Sequence, residues 1–178
     1  MIQKDNRDKV LKVFFDNPLP SNGYQLREIG RITKLGLPSV TRYLQELVNA
    51  KVIEKKPDRV QGYPRYWANR ESEEFKILKK QNVVRLLHET GLIQKLEESG
   101  SPLVIVLFGS AARGEDIEGS DVDLYVQSKE TQLTLTSYEK KINRRINLFY
   151  EKDFKKLSTE LKNNIINGIV LTGYLEAF

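Results

Sequence analysis

The sequence predicts an α+β protein in which a small helical module comes first and an α/β module with a small mixed sheet follows. Apolar residues recur at helical spacing up to residue 50, and short β-prone runs alternate with helical ones from residue 103 onward. The charge separates the same two parts, because residues 1–70 hold 14 Lys and Arg against 7 Asp and Glu, a net charge of +7. Residues 71–100 and 101–178 each carry a net charge of −1. The basic first module is therefore expected to bind a polyanion.

Bulk composition restricts the class of protein. With 178 residues, 39% of them hydrophobic and 30% charged, the chain has room for one large domain or two small ones and is typical of soluble globular proteins. Cysteine is absent, which excludes disulfides and thiolate metal sites and agrees with a reducing cytoplasm. The longest apolar run, 103–108, is too short to cross a bilayer, and the first residues lack the apolar core of a signal peptide. We therefore expect a cytoplasmic protein with no membrane association.

Three helices are predicted in the first module. The first helix carries an apolar stripe and ends near Pro18. Ser21 and Asn22 offer caps for a second helix. The inward positions of that helix would be Leu26, Ile29 and Ile32. A tight turn at 34–36 leads to the third helix, where Pro38 fits the first turn because no hydrogen-bonded N–H is needed there.

The third predicted helix has an apolar side and a polar side. Its inward positions are Leu37, Val40, Leu44, Leu47 and Val48. Its outward positions are Ser39, Thr41, Arg42 and Gln45. After residue 50, two short strands flank a turn-rich loop at 57–64, which predicts a β-hairpin.

This order of three helices and a basic hairpin resembles the winged helix-turn-helix domain of bacterial and archaeal transcription regulators. The segments that carry the resemblance are Leu26-Arg-Glu-Ile-Gly-Arg-Ile-Thr, Lys34-Leu-Gly, Leu37-Pro-Ser-Val-Thr-Arg-Tyr-Leu-Gln-Glu-Leu and Lys51-Val-Ile-Glu-Lys. The resemblance implies double-stranded DNA as the partner, with the third helix in the major groove. The side chains expected on base edges are Ser39, Thr41, Arg42 and Gln45. The side chains expected on phosphates are those of the hairpin, Lys55, Lys56, Arg59 and Arg65.

The alternative for the first module is a winged helix that contacts a protein rather than DNA. The net charge of +7 argues against that alternative. Residues 71–91 are predicted to form a charged helical linker or a dimerisation helix, with Lys76, Lys79 and Lys80 on its solvated face. A helix at 92–99 is expected to open the second domain.

The most informative motif begins where the apolar run 103–108 delivers Gly109 and Ser110 to a turn. Ten residues separate Ser110 from Asp121, and Asp123 follows two positions later. Glycine and serine at the start of a helix suit phosphate, because the free N–H groups and the helix dipole attract anions. Asp121 and Asp123 share one face of a strand and suit Mg²⁺, which binds a few hard oxygen ligands together with phosphates. The motif therefore predicts a site for a nucleoside triphosphate and Mg²⁺.

This pattern of Gly-Ser, ten residues and Asp-x-Asp resembles the nucleotidyltransferase superfamily with the DNA-polymerase-β-like fold, and most closely its minimal nucleotidyltransferases. The resemblance covers roughly residues 92–178. It implies that Asp121 and Asp123 are the catalytic and Mg²⁺-binding residues. It also implies that three residues bind the triphosphate, namely Gly109, Ser110 and Arg113. The alternative is an ordinary β-turn-α-β segment with solvated aspartates.

The later part of this domain departs from the family pattern. A strand is predicted at 146–150, and a helix is expected from Asp153 onward, since Asp153 is a good N-cap. Active members of the family carry a third carboxylate on this later strand, and the matching position here is Asn147. An amide oxygen can ligate a metal weakly but cannot accept a proton. The second metal ion and the base of a two-metal transfer are therefore compromised.

Two glutamates are the remaining candidates for the third carboxylate. Glu151 shares the strand face of Asn147 but lies about 13 Å away at the rise of a strand, which makes it a poor substitute. Glu139 lies on the preceding predicted helix, and its distance from the site cannot be read from the sequence. The sequence therefore predicts transferase activity that is absent or very slow.

The combined prediction is a DNA-binding transcription regulator with a winged helix at 1–70, a helical linker at 71–91 and a nucleotidyltransferase-like domain at 92–178. In this hypothesis the last domain binds a Mg²⁺–nucleoside triphosphate as a sensor or partner module. The alternative is an active nucleotidyltransferase that transfers a nucleoside monophosphate to a protein or a small molecule. Some members of the family are antitoxins that modify a partner toxin, which leaves open a protein partner encoded elsewhere. A homodimer is also left open, because regulators of this kind read palindromic sites as dimers.

Overall fold

The computed structural model describes residues 6–57 and 62–176. The chain divides into two compact units, Met1–Ile77 and Leu78–Phe178. The division falls inside the helix Glu73–Glu89, which occupies most of the predicted linker. No helix in the described ranges combines the length and the apolar character needed to cross a membrane.

The first unit contains the three predicted helices and the two strands of the predicted hairpin. Its elements in chain order are α1 Asn6–Asp16, β1 Tyr24–Gln25, α2 Leu26–Thr33, α3 Leu37–Asn49, β2 Ile53–Lys56 and β3 Arg65–Ala68. The strands form an antiparallel sheet in the order β1-β3-β2. The helices meet around a core that includes Val10, Phe14, Ile29, Leu44 and Leu47. Apolar residues at helical spacing thus form one buried cluster, which stabilises the unit by removing their side chains from water.

Two details of the first unit differ from the prediction. The caps at Ser21 and Asn22 are wrong, because the chain is still extended at β1, where Tyr24 pairs with Tyr66. The backbone N–H of Gln25 instead donates to Glu28 Oε2 at 3.3 Å, as expected where α2 begins at Leu26. The inward positions assigned to Ile32 and Leu37 are also wrong, since these side chains are 53% and 40% exposed. Both residues lie near the turn between α2, which ends at Thr33, and α3, which begins at Leu37.

The second unit is a mixed sheet flanked by helices, as the sequence predicts. Its elements after α4, Glu73–Glu89, are α5 Leu92–Gly100, β4 Val104–Phe108, α6 Gly109–Arg113, β5 Val122–Val126, α7 Thr136–Ile142, β6 Ile146–Tyr150, the 3₁₀ helix η1 Phe154–Lys156, α8 Thr159–Ile166 and β7 Ile169–Gly173. The strand order is β6-β5-β4-β7, with β5 and β6 parallel and the other pairs antiparallel. All residues of β4 are buried. A central strand buried on both faces explains why its sequence is continuously apolar rather than alternating.

The C-terminal end differs from the predicted single helix. Asp153 does act as a cap, because its carboxylate accepts the Lys155 N–H at 3.0 Å, but the turn that it starts is a short 3₁₀ helix. Ser158 then caps α8. The last strand, β7, pairs with β4 and was not predicted. The close approach of the chain before β7 to β4 requires glycine at position 168, because a Cβ atom at Gly168 would lie 2.5 Å from the carbonyl oxygen of Leu107.

Candidate functional site

The residues of the Gly-Ser and Asp-x-Asp motifs meet at one end of the sheet. Strand β4 ends at Phe108, and β5 and β6 begin beside that end, because β5 runs antiparallel to β4 and parallel to β6. Asp123 pairs with Phe108 on one side and with Asn147 on the other. Side chains of paired residues lie on the same face of a sheet. The topology therefore brings together residues that are far apart in the sequence.

Asn147 is hydrogen-bonded to both aspartates of the motif. Its Nδ2 atom donates to Asp121 Oδ2 at 3.2 Å and to Asp123 Oδ1 at 3.0 Å. All three side chains are half-buried. Two carboxylates side by side repel each other, and one amide that donates a hydrogen to each of them offsets that repulsion. In this arrangement Asn147 orients the aspartates instead of presenting an oxygen between them.

Gly109 is required by two features of the same position. Its φ is +74°, in the left-handed region that other residues rarely adopt. In addition, a Cβ atom there would lie 2.6 Å from Asp123 Oδ2, closer than real Cβ contacts come. The carboxylate of Asp123 therefore lies directly against the turn that starts α6. Ser110 follows in the first turn of α6 and is half-buried.

Arg113 lies at the end of α6 and is exposed. Its Nε donates to Glu115 Oε2 at 2.8 Å. Exposed ion pairs contribute between about 0 and 1 kcal/mol, so a phosphate group could replace Glu115 as the partner of Arg113 at small cost. The position is compatible with the predicted contact to a triphosphate.

The carboxylate oxygens at this site suit one divalent cation better than two. Asp121 and Asp123 offer the one or two carboxylates with which Mg²⁺ usually binds a protein when phosphates complete its shell. Within residues 6–57 and 62–176, no three His, Cys, Asp or Glu side chains group closely enough to hold a metal ion. Glu139 accepts the Ile146 N–H at 3.0 Å and Glu151 accepts the Asp153 N–H at 3.0 Å, so each is engaged with backbone.

The comparison with known families covers this site. Residues 90–175 match the polymerase beta, nucleotidyltransferase family. The second unit is a nucleotidyltransferase-like domain. The match extends from the turn before α5 to the residues after β7, and it includes both motifs and Asn147. No individual curated protein is significantly similar to the chain.

A buried ion cluster joins α4 to two segments that lead to the site of the nucleotidyltransferase-like domain. Lys79 from α4 is 1% exposed, and its Nζ donates to the backbone oxygen of Asp116 and lies 3.3 Å from Asp116 Oδ2. Arg144 donates to the same carboxylate oxygen. Asp116 belongs to the loop between Ser110 and Asp121, and Arg144 is three residues before Asn147. The cluster therefore ties together the two segments that deliver the aspartates and the amide.

The placement of Lys79 on a solvated face is wrong. The sequence contains a signal that could have corrected it, because Lys79 stands four residues after Phe75 and four before Val83, and Leu87 continues the series. Residues four apart share one side of a helix. Phe75, Val83 and Leu87 are all buried. A lysine within such a stripe is buried with its neighbours and requires a counter-ion.

The predicted DNA-contact residues of α3 differ in how far they are exposed to solvent. Thr41, Arg42 and Gln45 are exposed and Ser39 is half-buried. The guanidinium of Arg42 is engaged on its own helix, since it donates to the hydroxyl of Tyr43 at 2.9 Å and lies 4.8 Å from the centre of that ring. The side chain of Arg42 is nevertheless 65% exposed.

The hairpin residues differ in what they contact. Lys55 is exposed. Lys56 is exposed too and pairs with Glu54 at 2.5 Å. Arg65 is half-buried and donates to the backbone oxygen of Asn22 at 3.0 Å, so it stabilises the loop before β1. Arg59 lies outside the described residues.

Proposed function

We propose that the nucleotidyltransferase-like domain binds a nucleoside triphosphate with one Mg²⁺ ion, and that the first unit binds double-stranded DNA. The chain would then be a transcription regulator in which the second domain serves as a nucleotide sensor or a partner-binding module. The observation that carries the nucleotide part is the convergence of Asp121, Asp123 and Asn147 beside the Gly109 turn.

The donor chemistry supports binding of a triphosphate. Asp121 and Asp123 would hold the Mg²⁺ ion, and Gly109 and Ser110 would contact phosphate oxygens through the N–H groups at the start of α6. The ion would supply positive charge that offsets the charge of the phosphates. Arg113 would exchange Glu115 for a phosphate oxygen.

Asn147 supports a binding role over a catalytic one. Two-metal transfer uses one ion to hold the triphosphate and another to activate the attacking hydroxyl. Asn147 carries no charge for the second ion and cannot take the proton of the attacking group. Its amide donates hydrogens to both aspartates, which leaves two carboxylates and a neutral group in the site.

The second candidate is an active nucleotidyltransferase. The family match favours it, because the match spans the whole sheet and both motifs. The acceptor would be a protein or a small molecule, as in an antitoxin that modifies a separately encoded partner. Incubation with labelled ATP, CTP, GTP and UTP, Mg²⁺ and a cell lysate tests this candidate through transfer of label.

The DNA part of the proposal depends on charge and on the polar side of α3. Residues 1–70 carry a net charge of +7, and Thr41, Gln45 and Lys55 are exposed. The same unit could contact a protein, and a salt titration distinguishes the two partners. Dimerisation is part of the proposal for the full chain, since a two-fold symmetric regulator reads a palindromic site.

For the DNA part, we expect the full chain to bind duplex DNA with an affinity that falls steeply as salt rises, because bound lysines and arginines release counterions. Arg42→Ala should reduce the discrimination between sequences by about 1–3 kcal/mol. Lys55→Ala should weaken binding to all sequences alike and lower the salt slope by about one. Fluorescence anisotropy over a salt series measures both effects.

Lys129→Ala is the control for that series, since Lys129 is exposed in the nucleotidyltransferase-like domain and no DNA contact is proposed for it. The variant should bind DNA as the wild type does. Binding that does not respond to salt, or its absence at low salt, would count against the DNA proposal.

For the nucleotide part, titration calorimetry should detect binding of a nucleoside triphosphate that requires Mg²⁺. The double variant Asp121→Asn with Asp123→Asn should lose that Mg²⁺-dependent component, because the amides that replace the carboxylates bind Mg²⁺ only weakly. Glu118→Gln removes one exposed carboxylate from the loop before Asp121 and should bind like the wild type. If the wild type binds no triphosphate at millimolar Mg²⁺, the nucleotide proposal is wrong.

A further inference from the structure

An exposed aromatic side chain lies on the same face of the sheet as the two aspartates. Phe149 of β6 is 40% exposed, although the strand belongs to the central sheet. Its ring packs against Phe108 with the ring centres 5.4 Å apart and the planes at 64°. Phe108 itself is buried. One ring of the pair is thus fixed in the sheet, and it supports the other at the surface.

The register of the strands places this pair on the same face as the aspartates. Phe108 pairs with Asp123, and Asn147, which precedes Phe149 by two residues on β6, pairs with Asp123 as well. Residues two apart on a strand share a face and are separated by about 7 Å. The distance is within the length of a nucleotide, so a ligand held at Asp121 and Asp123 can reach Phe149.

The position of Phe149 in the sheet explains why its ring is accessible. Strand β6 is the edge strand next to β5, so one side of it has no neighbouring strand in the described sheet. The same face is covered further along by Phe154 and Ile165, which pack with Tyr125. Beside the aspartates, the ring of Phe149 therefore borders polar groups on one side and solvent on the other.

We propose that Phe149, supported by Phe108, stacks on the base of the nucleotide whose phosphates are bound at Asp121 and Asp123. This inference deepens the proposed nucleotide site and rests on it. Gly109 and Ser110 directly follow Phe108, against which Phe149 packs, so the residues proposed for the phosphates and the ring proposed for the base lie close to each other. Stacking tolerates every base, because each has a π-face. The platform therefore selects for a nucleotide over a bare polyphosphate without choosing among the four bases.

The test compares two ligands of the full chain in the presence of Mg²⁺, ATP and inorganic triphosphate, by calorimetry. The two share three phosphates, and only ATP carries a base. We expect Phe149→Ala to weaken ATP binding by about 5- to 150-fold, the range that corresponds to a stacking contribution of about 1–3 kcal/mol. Binding of inorganic triphosphate should change by less than about twofold, since the aspartates and the Gly109 turn are untouched.

Two variants separate stacking from packing. Phe149→Leu keeps an apolar contact for Phe108 but has no π-face, so it should lose ATP affinity as the alanine variant does. Phe149→Trp should retain ATP affinity, since tryptophan offers a larger aromatic face. Tyr174→Ala is the matched control, because Tyr174 is an aromatic residue 65% exposed that follows β7 near the opposite end of the sheet, and its removal should affect neither ligand.

The outcomes distinguish this inference from the proposed function. If the wild type binds neither ligand, the nucleotide site itself is wrong and the inference is overturned with it. If both ligands bind and Phe149→Leu matches the wild type for both, the site stands and the stacking role is overturned. The same holds if Phe149→Ala weakens both ligands equally, which would indicate a structural role.

Discussion

Asp116→Ala is expected to lower the free energy of unfolding of the second unit by about 3–5 kcal/mol, the usual cost of removing one partner from a buried ion pair. The carboxylate of Asp116 is the counter-ion of both Lys79, which is 1% exposed, and Arg144. Without it, two positive charges stay in a region from which water is excluded. Such charges are costly in a protein interior unless they are paired and hydrogen-bonded.

Chemical denaturation followed by far-UV circular dichroism measures this effect, and the fluorescence of Trp67, the single tryptophan, monitors the first unit separately. Arg113→Ala is the control, since it breaks the exposed pair with Glu115 and should change stability by less than about 1 kcal/mol. An Asp116→Ala variant as stable as the control would show that the cluster does not stabilise the domain.

Asn147→Asp should have the largest effect on turnover. A carboxylate at this position restores a charged ligand for a second ion and a group that can accept a proton. Together these are expected to raise the rate of label transfer by a factor of several tens or more, because each 1.36 kcal/mol removed from the barrier is a tenfold increase in rate. Nucleotide binding at Asp121 and Asp123 should change little once Mg²⁺ is high enough for a second ion to balance the added charge. The rates of the wild type and the variant are compared at equal Mg²⁺ with the same lysate as the source of acceptor.

A second readout of Asn147→Asp does not depend on activity. The substitution removes the two hydrogen bonds to Asp121 and Asp123 and adds a third negative charge beside them. Mutual repulsion should lower the melting temperature in EDTA, and Mg²⁺ should restore it, because an ion that binds only the folded state stabilises it. Asn147→Ala is the control, since it lacks the hydrogen bonds and the carboxylate and should gain no activity. If the wild type transfers label efficiently and Asn147→Asp transfers it at the same rate or more slowly, the active nucleotidyltransferase becomes the first proposed function and the sensor becomes the second.

The sequence was sufficient to predict that the Gly109 turn, the two aspartates and Asn147 lie close together. A run of apolar residues before Gly109, alternation around Asp121 and Asp123, and a later strand at Asn147 are local patterns that specify strands and faces. The structure adds the amide of Asn147 as a donor to both aspartates, which depends on the register between β5 and β6.

The features that sequence reasoning missed all depend on contacts between distant segments. The burial of Lys79 follows from a loop that starts more than thirty residues later, and only that loop supplies its counter-ion. Strand β7 is recognised by its pairing with β4 rather than by its own composition. The contact of Arg65 with its own chain is a further case, because its guanidinium donates to the backbone oxygen of Asn22, more than forty residues earlier. Charge alone does not tell whether a cation faces the solvent or its own chain.

The neutral side chain of Asn147 has a consequence for how many cations the site would take up per nucleotide. Two carboxylates carry two negative charges, which a single divalent cation balances before the phosphates arrive. A third carboxylate would leave an excess negative charge that repels an anionic ligand until another cation enters. With an amide in that place, one divalent cation balances the charge of the protein's own carboxylates, so those carboxylates would not by themselves require a second ion.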